Sequence, residues 1–285
     1  TGAPVLLWID NQDTRSQDYD QLRRLPRPGH SDLIANAWSH GFYDPRGGGH
    51  YSGRLTACLV AAAAFLRPLL TAQGIQVGAH VHQLGAILGT GQPDARAMQQ
   101  ADTDPVHTVH PESSEFVAAV EAARRAKDSL GGVIAWQADG VPRAWGDPFF
   151  DSVESRLAHL FFAVPAVKGV DFGAGFAAAS MRGSEHNDAY EVQSGATVPV
   201  TNHAGGILGG RTTGAPIWGR VAIKPTSSIF QPQATVDQET KSPATLELKG
   251  RHDPCIAIRA APVIRACVEL VLTDFLLQAR QEGHA

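Results

Sequence analysis

VIAWQADGVPRAWGDPFFDSVESRLAHLFFAVPAVKGVDFGAGFAAA, residues 133–179, holds the pattern that decides the fold. It reads as a strand over Val133 to Ala138, a loop carrying Pro142 and Pro148, an amphipathic helix from Asp151 to about Phe162, then strand, glycine bend, strand from Val167 to Ala179. Strands and helices alternate here without the regular period of βαβ units, and the same holds outward from it. Upstream, a largely buried helix spans Leu55 to about Ala72 and weakens near Pro68. A strand follows over residues 75–88, and a helix from Ser114 to Leu130 is stopped by Gly131-Gly132. Downstream come a glycine-dense turn region from Asn202 to Gly214, a strand over Pro216 to Lys224, a weakly structured stretch to Lys249, and a last helix from about Pro262 to Arg280. With no repeat and no low-complexity tract, the class is α+β in a single large domain, residues 1–285.

The amino-terminal fifth has a different texture. Val5-Leu6-Leu7-Trp8-Ile9 reads as a strand entered directly from Thr1, so the chain is expected to begin part-way into a longer protein. Residues 11–50 then form an extended loop region with one short helix near Ile34 to Ser39.

Charge narrows the function. A formal net charge of −4 argues against general affinity for nucleic acid or for membrane surfaces. The longest apolar stretch, Leu55 to Leu66, falls short of the roughly 20 residues a bilayer needs. Three cysteines, Cys58, Cys255 and Cys267, show neither zinc-site nor disulfide spacing and suit a reducing cytoplasm. Yet nineteen of the 24 basic residues are arginine, and five of those lie between Arg23 and Arg54 beside His30, His40 and His50. Guanidinium forks bind phosphate and carboxylate bidentately, so this window is either a concentrated small-anion site or a solvated basic face.

Four segments could carry chemistry. Arg27-Pro28-Gly29-His30 is a type II turn that sets an anion clamp beside a proton donor, unless it is a plain surface turn. Arg46-Gly47-Gly48-Gly49-His50-Tyr51-Ser52-Gly53-Arg54 leads into a helix start and reads as a phosphate cradle or a glycine hinge, without the lysine of a Walker loop. Lys224-Pro225-Thr226-Ser227-Ser228 sets one ammonium and three hydroxyls after a strand, suited to a phosphate or ribityl chain, or to a polar turn. Gly250-Arg251-His252-Asp253-Pro254-Cys255 aims a guanidinium and a carboxylate into a cleft, or closes a loop salt bridge. His80-Val81-His82 places two histidines on one strand face, but no Cys, Asp or Glu adjoins them, and the sequence alone assigns no metal.

Taken in order along nearly the whole chain, these segments resemble chorismate synthase. Further matching stretches are Asp13-Thr14-Arg15-Ser16, Pro148-Phe149-Phe150-Asp151, Ala166-Val167-Lys168-Gly169-Val170 and Asn202 to Gly210. The resemblance implies a β-α-β sandwich fold, a homotetramer, and reduced FMN as cofactor. It implies 5-enolpyruvylshikimate-3-phosphate as substrate, eliminated to chorismate without net redox change. It assigns the substrate anions to Arg27, Arg54 and Arg251, the proton for the departing phosphate to His30, and the proton at flavin N5 to Asp253. For FMN it assigns Pro165, Ala166, Gly209, Lys224, Pro225, Thr226, Ser227, Ser228 and Arg251, with His50, Tyr51 and Ser52 alongside. Two departures stand out. His50-Tyr51-Ser52-Gly53 replaces the commoner Arg-Ser-Ser-Ala, which reads as a subtype. The family's Gly-Glu-Ser-His-Gly segment is absent, which keeps a non-catalytic flavin- or anion-binding module as the alternative. Whether NADPH or an outside reductant reduces the flavin stays open.

Overall fold

The structure, a computed structural model, describes residues 2–10, 21–44, 49–248 and 253–283. In chain order its helices are α1 (Asp32–Trp38), α2 (Thr56–Thr71), α3 (Ala95–Met98), α4 (Ser113–Arg125), α5 (Val153–Ala163), α6 (Gly183–His186) and α7 (Ala257–Gln281). The strands are β1 (Gln76–Leu84), β2 (Ile87–Leu88), β3 (Gly132–Asp139), β4 (Val167–Phe172), β5 (Tyr190–Gln193), β6 (Ala196–Pro199), β7 (Ile207–Leu208), β8 (Arg211–Thr212), β9 (Ile217–Ile223), β10 (Gln233–Asp237) and β11 (Ser242–Leu246).

One antiparallel sheet, in the order β2-β1-β3-β9-β4, organises the molecule, and three two-stranded hairpins accompany it. The period-2 pattern of β9, IWGRVAI, buries every second residue. Gly219 interrupts the bulky series for a packing reason: a Cβ there would lie 3.0 Å from Cζ2 of Trp136 and 2.2 Å from the Asp171 carbonyl. Trp136, fully buried, meets Phe161 of α5 with ring centroids 5.5 Å apart. On this face α7 packs across β1, β3 and β9, and α2 packs on α7. Two helices therefore layer over one sheet, the α+β architecture expected. The buried Glu269 of α7 accepts hydrogen bonds from Arg67 of α2 (2.7 and 3.1 Å) and from Arg265 (3.0 Å), which joins the helical layers.

Several elements differ from expectation. Val5–Ile9 form no strand: among the described residues they have no partner strand, and Trp8 is 78% exposed. The Leu55–Ala72 helix forms, but only Ala63 and Leu70 are buried, while Phe65 is 58% exposed. By length and composition alone its run Gly53–Thr71 could cross a membrane. The helix α4 ends at Arg125, ahead of the glycine pair, because Lys127 turns left-handed (φ 58°) and the Asp128 amide closes on the Ala123 carbonyl at 3.0 Å. Gly173 and Gly175, at φ 57° and 55°, break the extended path, so residues 175–180 are a 3-10 helix and no second strand follows. The stretch before Lys249 holds the β10–β11 hairpin, whose turn Asp237 builds by accepting the amides of Glu239 (2.9 Å) and Thr240 (3.2 Å).

Candidate active site

The turn Arg27 to His30 is closed by Gly29 at φ 69°, a left-handed conformation that glycine takes at no steric cost. A Cβ there would also stand 3.3 Å from Ser227 Oγ, so the turn and the Lys224–Ser228 loop are in direct contact. Lys224 Nζ donates to the Gly29 carbonyl at 2.9 Å and to Ser227 Oγ at 2.7 Å, and Ser227 Oγ donates to the same carbonyl at 2.7 Å. Arg27 donates to Ser228 Oγ at 2.9 Å. Two segments some two hundred residues apart thus form one wall.

Asp32, at the start of α1, fixes the chemistry of this wall. Its carboxylate accepts Arg27 Nε and a terminal guanidinium N–H, each at 2.7 Å, and the Arg27 amide at 3.0 Å. It also lies 2.7 Å from His30 Nδ1. Arg27 approaches the same nitrogen at 3.1 Å, but the shorter contact makes Nδ1–H a donor to Asp32 and leaves Nε2 facing elsewhere. Burial works to raise the Asp32 carboxyl pKa; the hydrogen bonds and charges of Arg27 and His30 outweigh it and hold the carboxyl well below the usual range. The sequence showed Asp32 only as a countercharge in an arginine-rich window.

Two clefts meet at His30. One, of about 480 Å³, is lined by Arg23, Arg27, Asp32, Tyr43, His50, Tyr51 and Ser52 among others. The second, of about 550 Å³, is lined by Pro165, Ala166, Lys168, Lys224, Thr226, Ser227 and Arg259 beside the apolar Val164, Ile223, Ile256, Ala260 and Val263. His30, Ser31, Tyr51 and Gly53 line both. In the second cleft Ala166 takes φ 76°, unusual for a side chain with a Cβ, and its carbonyl accepts the Lys224 amide at 2.9 Å. Burial and, next, the neighbouring Lys168 push the Lys224 ammonium pKa down. Among the described residues neither lysine has a carboxylate partner, so the cleft presents two ammonium groups, hydroxyls and an apolar wall together.

The remaining expected residues sort as follows. Ser52 Oγ caps the turn before α2 by accepting the Arg54 amide at 3.2 Å, while Arg54 itself is exposed and lines neither cleft. Pro225 packs on the Gly131 backbone behind the second cleft. Asp253 pairs with Arg259 at 2.7 Å and accepts the Cys255 amide at 3.2 Å, so it stands behind a guanidinium that does line the cleft. Gly209 lies in the turn between β7 and β8 and lines neither cleft. Residues 11–20, 45–48 and 249–252, which include Asp13 to Ser16, Arg46 to Gly48 and Arg251 with His252, lie outside the described residues. Lys168 stands inside a matching stretch in which the resemblance assigns it no role, and Arg259 lies on α7, just beyond the last motif.

The profile of one family, described as chorismate synthase, matches residues 1–277. The chain belongs to the chorismate synthase family. A chorismate synthase of Chitinophaga pinensis is 46% identical over 277 residues, covering 97% of this chain and 75% of that relative. One of Aeropyrum pernix is 46% identical over 280 residues, covering 97% and 74%, and one of Thermococcus kodakarensis 41% over 283 residues, covering 98% and 78%. A crystal structure of chorismate synthase superposes with a TM-score of 0.70 at 26% identity, covering 86% of this chain and 69% of that one. The activity is that of chorismate synthase, a lyase of the shikimate pathway. These matches favour it over a purely binding module.

Proposed function

We propose that the two clefts joined at His30 hold 5-enolpyruvylshikimate-3-phosphate and reduced FMN side by side. The observation that carries this reading is His30 itself, which lines both clefts while its Nδ1 is fixed by Asp32. The second cleft suits a phosphorylated tricyclic ring: Lys168, Lys224, Thr226 and Ser227 supply cations and donors, and Ile223, Ala260 and Val263 supply an apolar face. Pro165, Ala166, Pro225 and Ser228 complete that site, with Gly209 and Arg251 assigned to it from their motifs. When bound, reduced FMN lends electron density to a 1,4-anti elimination that leaves it with no net redox change.

This chain's residues do the rest. Arg27, Arg54 and Arg251 hold the phosphate and carboxylates of the substrate, since guanidinium forks pair with such anions and stabilise charge as it develops on the leaving group. With Nδ1–H committed to Asp32, Nε2 of His30 carries the proton toward the departing phosphate. His50, Tyr51 and Ser52 close the first cleft over the substrate. Asp253, which pairs with Arg259 of the cleft lining, would hold or move the proton at N5 of a bound flavin.

The apolar helix α2, in which only Ala63 and Leu70 are buried, with Phe65 and the preceding Leu55 open, supports assembly into a homotetramer. Three unpaired cysteines suit the cytoplasm. NADPH is the proposed reductant for the flavin where none is supplied from outside.

The test is anaerobic. Reduced FMN and 5-enolpyruvylshikimate-3-phosphate mixed with the chain should release phosphate and chorismate in equal amounts. FMN binding with no product would refute the catalytic reading, and turnover unchanged in His30→Gln would refute the role of His30.

A further inference from the structure

On the sheet face away from α7, β1 carries two histidines. Gly78 shows which face this is, since a Cβ there would meet the Ala95 carbonyl of α3 at 2.3 Å. Two residues on, His80 is completely buried, and among the described residues neither of its ring nitrogens has a hydrogen-bond partner. A fully buried imidazole with both nitrogens unsatisfied is costly and calls for a partner. His82 follows at a shift in the β1–β3 register between Val81 and Gln83, a bulge of the kind that re-aims a side chain. The partner of both comes from elsewhere in the chain. The connection into α4 is held to β1 by the Val81 amide on the His107 carbonyl (2.8 Å) and by Thr108 Oγ1 on the Val81 carbonyl (2.7 Å). This brings His110 Nε2 to 3.2 Å from His82 Nδ1, and the His80 and His110 ring centroids to 4.5 Å.

We propose that His80, His82 and His110 form a binding site for a divalent transition metal of the zinc class, with a fourth position for water. The three ligand nitrogens lie within 4.8 Å of one another. Tetrahedral zinc with Zn–N near 2.0–2.1 Å separates its ligand atoms by about 3.4 Å; the His82–His110 edge, at 3.2 Å, already has about that length, and neither of the other edges exceeds 4.8 Å. The donor chemistry agrees. Three imidazole nitrogens, with no thiolate or carboxylate among them, suit a borderline ion of this class. The surroundings are built for this arrangement as well. Gly89 leaves the room His110 occupies, since a Cβ there would stand 2.0 Å from its ring. The His110 ring hydrogen-bonds the Thr90 backbone, and the nearby Glu112 supplies negative charge. Such outer contacts orient a ligating imidazole. The site shares no residue with the two clefts, and its ion would clamp residues 107–110 onto β1.

The experiment titrates the chelator-treated full chain with zinc by calorimetry and with cobalt by visible absorption. One ion per chain, tetrahedral cobalt bands and no thiolate charge-transfer band are expected. His82→Gln and His110→Asn should each weaken binding about a hundredfold or more, while His159→Gln, exposed on α5, leaves it unchanged. Absence of stoichiometric uptake, sulfur ligation in the cobalt spectrum, or undiminished binding by folded His82→Gln would each overturn the assignment. If a variant fails to fold, X-ray absorption of zinc on the unmodified chain decides: three imidazole nitrogens support the site, and fewer refute it.

Discussion

Replacing Asp32 by Asn tests the geometry around His30 most directly. The carboxylate accepts three hydrogen bonds from Arg27 and one from His30, and the Arg27 and Asp32 side chains are each only 12% exposed. An amide keeps one acceptor oxygen but turns an NH2 group toward donors and leaves the guanidinium without its countercharge. Charge-assisted hydrogen bonds contribute about 1.5–3 kcal/mol each and are not additive, which sets the expected loss at roughly 2–4 kcal/mol at neutral pH. For a chain of this size that is a fall in Tm of about 5–10 °C. The pH dependence carries a definite sign. The folded carboxyl titrates below its unfolded value, so its contribution is complete above about pH 4 and is lost as acid approaches the folded value. Urea unfolding of the two proteins should therefore show a gap that is widest at neutral pH and narrows below about pH 4. Turnover should fall by about a hundredfold or more, mainly in kcat, with partial rescue by Asp32→Glu. A stability gap that stays constant or widens in acid would refute the assigned ion pair, and a loss confined to KM would refute Asp32 as the group that positions His30.

Three further outcomes follow from the same structure. Gly29→Ala combines a left-handed φ of 69° with a 3.3 Å approach to Ser227 Oγ and should cost about 1–2 kcal/mol in denaturant unfolding and weaken FMN binding; a neutral effect on both would show that the turn can shift. Asp253→Asn should slow turnover by about tenfold or more while FMN titration stays within about twofold, and the opposite pattern would assign the carboxylate to flavin binding. Burial raises the pKa of the Cys255 thiol and pushes that of Cys267 up to about 12, whereas Cys58 is exposed, so a thiol reagent should label one group in the native protein and three after unfolding. Rapid native labelling of more than one would contradict the packing of α7.

The sheet strands and the long helices were legible because their periods are local. IWGRVAI alternates over its whole length, and α5 announces its start with Ser152, whose Oγ accepts the Ser155 amide. What stayed hidden depends on partners distant in sequence or on conformations that residue type does not encode. The burial expected of α2 followed from its composition, but which faces are covered depends on α7. The stretch expected to be weakly structured pairs as β10–β11, where Pro243, which has no amide to donate, stands opposite Val236 in a two-stranded hairpin. His110 lies 28 residues from His82, so no local spacing could join them. At the candidate site the motif residues were readable as types, while Asp32, Lys168 and Arg259 gained their roles only from convergence.

The position of α7 has a consequence for how the chain acquires its shape. Its Ala257 seats against Gly132 of the sheet, and its Glu269 receives Arg67 from 202 residues earlier. Until that helix has left the ribosome, the inner surface of the sheet and one side of α2 have nothing to close on, so the nascent protein carries an open apolar face from the emergence of α2 until α7 follows. Such a high separation between touching residues predicts slow maturation and reliance on chaperones. Premature termination anywhere between α2 and α7 would yield aggregating fragments, because neither half retains a closed interior.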